Sequence, residues 1–101
     1  MRKLFISQPM KGLSDQEILA QRERTFEAVK NLYNEDFTLI DSFISRPAAE
    51  VSNMPVRFLA ESIALLSDAD VAVFGPGWRQ ARGCRIEHQI CEEYGIPTLS
   101  V

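Results

Sequence analysis

An open parallel α/β sheet is the fold this sequence predicts. Short apolar runs alternate with longer amphipathic segments. The runs are apolar almost without interruption, as strands covered on both faces are. Capping and stop signals separate the two kinds of segment, so the order reads strand, helix, strand, helix, strand, helix, strand.

Lys3 to Ser7 is the first expected strand, broken at once by Gln8-Pro9. Ser14-Asp15-Gln16-Glu17 follows as a capping-box pattern, in which the Ser14 hydroxyl meets the Glu17 amide and the Glu17 carboxylate reaches back. A long helix is expected from there to about Asn34. Its apolar stripe is Ile18, Phe26, Val29 and Tyr33, interrupted by Arg22 and Thr25, and Glu23, Arg24, Glu27 and Lys30 form the outer face. Phe37 to Ile40 reads as the second strand, ending at Asp41. Asp41 to Ser52, with Arg46-Pro47, lacks periodicity and reads as a loop holding at most a helical turn. Asn53 is the expected cap of a second helix, with Pro55 in its first turn and Val56, Leu59, Ile63 and Leu66 at helical spacing. Asp70 to Phe74 is a compact third strand, closed by Gly75-Pro76-Gly77. A last helix is expected from about Gly83 to Tyr94, burying Ile86, Ile90 and Tyr94. Gly95 supplies its stop, Pro97 lies beyond, and Thr98 to Val101 closes the sheet.

Composition narrows the function classes. The 101 residues make one domain, 1–101, and 46% of them are hydrophobic, enough for a core. Fourteen acids against 11 bases give a net charge of −3, which argues against a partner that is a nucleic-acid polymer. No apolar run approaches the ~20 residues that cross a bilayer, so no membrane partner is expected, and the opening run is too short for a signal peptide. Cys84 and Cys91, seven apart, stand too far apart on one helix for a disulfide. They read as two small buried thiols of a cytoplasmic protein. A single histidine leaves no zinc pattern.

Ligands of open α/β sheets sit outside the carboxyl ends of the strands. That rule selects the loop after Ser7, the region from Asp41 and the loop after Phe74. Ser7-Gln8-Pro9-Met10-Lys11-Gly12 lacks the spacing of a phosphate-binding P-loop and of a dinucleotide fingerprint; it is either a polar pocket wall or an ordinary turn. Asp41 stands where a carboxylate meets sugar hydroxyls, whereas Asp68 and Asp70 lie at the amino end of the third strand, on the wrong side of the sheet. After Phe74, Gly75 opens a loop that carries Trp78, set either to stack on a ligand or to plug the top of the sheet. Arg79, Arg82 and Arg85 surround a helix start, either as an anion site or as solvated charges. Glu87 lies near the same helix start, either as a charge–dipole contact or as a carboxylate aimed into the cleft. His88 points elsewhere and reads as a surface or subunit-contact residue.

Ile6-Ser7-Gln8-Pro9-Met10, Ala69-Asp70-Val71-Ala72-Val73-Phe74 and Arg82-Gly83-Cys84-Arg85-Ile86-Glu87, in that order, resemble the nucleoside 2-deoxyribosyltransferase-like superfamily. More narrowly they resemble a small, largely uncharacterised bacterial and phage branch of it, and the likeness spans nearly the whole chain. The resemblance implies a flavodoxin-like three-layer sandwich, with an open parallel sheet of four to five strands, assembled as a dimer or larger homo-oligomer. It implies cleavage of a nucleoside or nucleotide N-glycosidic bond, or deoxyribosyl transfer, with no metal or organic cofactor. Glu87 is then the nucleophile at the anomeric carbon, Gly83 is kept four residues before it, and Ser7 to Met10 lie against base or sugar. Three departures accompany the likeness. The acidic position before the third strand falls at Ser62, with Glu61 beside it; the acids before the glycine are replaced by Ala81 and Arg82; and the glycine after the nucleophile is Gln89. Arginine in that loop suits a 5′-phosphate, so a nucleoside monophosphate is the expected substrate. The missing acids leave a non-catalytic nucleotide-binding module of the same fold as the alternative.

Overall fold

The computed structural model describes residues 1–44 and 50–101. Strand β1 (Arg2–Ser7) leads through the Gln8-Pro9 break into helix α1 (Asp15–Tyr33) and strand β2 (Phe37–Leu39). Helix α2 (Met54–Leu66), strand β3 (Val71–Phe74), a 3-10 turn (Trp78–Gln80), helix α3 (Arg82–Tyr94) and strand β4 (Thr98–Leu99) follow. The expected loop from Asp41 to Ser52 is described only in part, and its Arg46-Pro47 lies outside the described residues.

The four strands form one sheet in the order β2-β1-β3-β4, and every pairing is parallel. This is the flavodoxin-like, three-layer arrangement expected from the sequence. Strand alternation divides the core in two. Leu4, Ile6, Val71 and Val73 face Val29 of α1 and Phe37, while Phe5, Ala72 and Phe74 face Leu66 of α2 and Cys84 and Cys91 of α3. Ser7 shares the parity of Phe5, so its side chain leaves the carboxyl end of β1 toward α2 and α3.

Local chemistry sets each helix boundary. Glu17 N–H donates to Ser14 Oγ at 3.1 Å and Ser14 N–H to Glu17 Oε1 at 3.0 Å, completing the capping box of α1. Val56 N–H donates to Asn53 Oδ1 at 3.1 Å, with Pro55 in the first turn of α2. Gly95 ends α3 with φ 76°, a left-handed backbone that glycine adopts without steric cost. At the amino end of the sheet, Asp70 accepts from the Lys3 amide at 2.7 Å and Asp68 from Lys3 Nζ at 2.8 Å. Both aspartates therefore hold the strand edge, as expected, on the far side from the loops.

Three expected helix faces are corrected. In α1 the buried residues are Ile18, Arg22, Thr25 and Val29, and Tyr33 is exposed. Arg22 and Thr25 do not interrupt the inner face; they belong to it. In α2 only Leu66 is fully buried and Val56 is 59% exposed, so much of its apolar surface is left open by the described residues. In α3 the buried stripe is Cys84, Glu87 and Cys91, whereas Tyr94 is 81% exposed and Ile86 lies at the surface. Small thiols let α3 lie close to the sheet, and Ile90 only flanks that contact. Both thiols are free and buried, and burial pushes Cys91 up to about 11.

Candidate functional site

The parity of β1 and the face of α3 bring two polar side chains together at the carboxyl rim. Ser7, 3% exposed, donates from Oγ to Glu87 Oε1 at 2.7 Å. Ser62, on the facing side of α2, donates to Glu87 Oε2 at 2.5 Å. Both oxygens of a carboxylate that is only 5% exposed are thus fixed by hydroxyls from different elements. Burial pushes the Glu87 carboxyl above its ordinary range, and the hydrogen bonds from Ser62 and Ser7 pull it back.

Glu87 faces a cleft of about 40 Å³, shared with Ser7, Gln8, Met10, Arg22, Ser42, Phe43 and Ser62. That space takes roughly two or three water-sized groups, hence the edge of a sugar ring and not a whole nucleoside. Glu87 is the one acid among its described lining residues. The Gln8 carboxamide is fixed by Nε2, which donates to the Ile18 carbonyl of α1 at 2.8 Å. One turn along α1, Arg22 is 9% exposed; its guanidinium donates to Asp41 Oδ1 at 3.2 Å and to the Ile40 carbonyl. Asp41 itself projects outward, with its side chain 87% exposed, and does not line the cleft; it touches the lining through Arg22 and the Phe43 amide.

The other expected residues are distributed around this centre. Gly75 N–H donates to the Ser7 carbonyl at 2.7 Å, and a Cβ at Gly75 would stand 3.2 Å from Gln8 Cβ. Glycine lets the two rim loops approach this closely, since a Cβ there would push Gln8 back by a few tenths of an ångström. Pro9 is a neighbour of Gly77, whose φ of +80° turns the same loop. Beyond that contact lies a larger hollow of about 350 Å³, lined by Gly75, Trp78, Arg79, His88 and the end of β4. Trp78 stacks on His88 at 4.3 Å and tilts against Phe74 at 5.3 Å, so it plugs the rim over the sheet. His88 is half-buried in this aromatic group, at the edge of the hollow, with Nδ1 3.1 Å from Glu92 Oε1.

The three arginines do not converge on Glu87. Arg79 lies over the Trp78 ring, and Arg85 donates to the Arg79 carbonyl at 3.0 Å. Arg82 is exposed in the first turn of α3. Gly83 faces α2, where a Cβ would meet Leu59 Cδ1 at 3.9 Å. Sequence reasoning missed Arg22 and Ser62 as members of the site. A cation set into the apolar stripe of α1 was the available signal for the first. For the second it was the serine in place of an acid one helix away.

Residues 2–100 match the family described as a domain of unknown function, DUF4406. The chain belongs to that family. No curated protein and no solved structure matches it. The chemical centre of this DUF4406 chain is the carboxylate–hydroxyl cluster on β1, α2 and α3. Among the described residues no group of three His, Cys, Asp or Glu side chains converges as a metal site would, and no helix is long and apolar enough to cross a membrane.

Proposed function

We propose that the Glu87 cleft cleaves the N-glycosidic bond of a nucleoside or nucleotide, passing the sugar to water or to a second base. One observation carries this reading: a buried carboxylate at the carboxyl rim, held by Ser7 and Ser62, faces open space instead of a cation. A Glu87 oxygen attacks the anomeric carbon, the bond to the base nitrogen breaks, and its electron pair leaves with the base, which takes a proton from solvent. Water or the second base then attacks the same carbon and loses a proton to solvent, the ester bond breaks, and the Glu87 carboxylate is restored. The desolvated carboxylate stabilises the cationic sugar more strongly than it would in water. The exposed apolar surface of α2 supports assembly as a homo-oligomer, and the two free thiols suit the reducing cytoplasm.

A second reading, a nucleotide-binding module without turnover, is favoured by one feature: the described lining offers no acid besides Glu87 to protonate the leaving base. Turnover separates the two. Wild-type protein incubated with the ribo- and 2′-deoxyribonucleoside 5′-monophosphates is expected to release free base. Glu87→Ala is expected to lower that rate by at least about 1,000-fold while binding stays within a few-fold. Tight binding with no free base from the wild type supports the module; equal rates for wild type and variant overturn Glu87 as nucleophile.

A further inference from the structure

Two polar atoms of the cleft have no hydrogen-bond partner among the described residues: Gln8 Oε1 and Arg22 Nε. Both belong to side chains that are nine-tenths buried or more, at 8% and 9% exposure. Such atoms are rare in folded proteins and call for an explanation. The Ile18 carbonyl fixes the Gln8 carboxamide through Nε2, so Oε1 is committed as an acceptor. Arg22 follows Ile18 by one helical turn on the same face of α1, and Gln8 and Arg22 both line the cleft. The only carboxylate that Arg22 pairs with among the described residues is Asp41, which lies mostly in solvent and compensates a buried cation weakly. Glu87 does not serve it, since its oxygens are taken by Ser7 and Ser62.

A lone acceptor and a lone donor on residues of one cleft are together the complement of a hydroxyl group, which donates to one and accepts from the other. The space is small, so the hydroxyl must be close to the atom that Glu87 attacks. On a furanose, the hydroxyl nearest the anomeric carbon is the one on the adjacent carbon. Building on the glycosidase reading, we propose that Gln8 and Arg22 form a subsite for that 2′-hydroxyl, so that the cleft takes ribosyl in preference to 2′-deoxyribosyl substrates.

The test is calorimetric titration of the full chain with ribose 5-phosphate and with 2-deoxyribose 5-phosphate, products that turnover does not consume. The wild type is expected to bind the ribose compound about 30-fold more tightly, the span of a hydrogen bond to a charged donor. Gln8→Met is expected to weaken ribose 5-phosphate alone and bring the ratio within threefold. Arg22→Lys keeps the charge beside Asp41 and removes Nε, so it is expected to do the same; either variant suffices if the other fails to fold. Equal affinities in the wild type, the result of a site that water alone fills, overturn the subsite. So does a variant that weakens both sugars equally, or a wild type that binds neither. Free-base release from nucleotides is scored separately. Release with a ratio near one removes the subsite and leaves the glycosidase reading; no release with a wide ratio does the reverse.

Discussion

Glu87 is fixed by neutral hydroxyls, and this sets its cost to the fold. Burial favours its protonated form, so the folded state holds the proton to higher pH than the unfolded chain does. The sign follows from linkage: stability is greatest below the ordinary glutamate value and declines as pH rises through the raised folded value. Glu87→Gln, which carries no charge, is therefore expected to melt above the wild type at neutral pH, with the gap closing below about pH 4. Thermal melts across pH check this; a gap independent of pH contradicts the assigned cause. The same residue shows what a sequence conceals. Glu87 was legible as a candidate from its helix-start position. Its burial was not, because hydropathy favoured the stripe Ile86, Ile90 and Tyr94 over one made of Cys84, Glu87 and Cys91. Arg22 was hidden in the same way: a long cation reads as an interruption until the buried face of the helix is known.

At the scale of elements, most boundaries were written in local chemistry. Ser14 and Glu17 cap α1 and Asn53 caps α2, as predicted, because side chains three residues apart satisfy the free amides of a helix start. Ser14→Ala is expected to lower stability by about 1 kcal/mol in urea titrations, without altering ligand binding in the cleft, which Ser14 does not line. The glycines of the rim were legible as loop signals but not as contacts. Only the approach of Gly75 to Gln8 shows that the loops after β1 and β3 touch, and only the separation of the Trp78 hollow from Glu87 shows that Arg79 lines a different hollow. Spacing along a chain carries no record of which side of a sheet neighbour a loop falls on.

For the whole molecule, the sheet order β2-β1-β3-β4 explains why chemistry collects above β1. The order in which strands are added across the sheet reverses between β1 and β3, and the crevice at such a switch point is where α/β sheets accept ligands. Ser7 ends β1, Ser62 and Glu87 come from the two helices on one face, and Gln8 turns to α1 on the other. Alternating strands and helices made this architecture legible from the sequence, while the convergence of three elements on one carboxylate is a tertiary fact. The most direct measurement is mass spectrometry of the full chain quenched during turnover of a nucleoside 5′-monophosphate. A sugar phosphate attached to the peptide that carries Glu87 is the predicted result. Free base released with no adduct there, or with the adduct on another residue, would contradict the account.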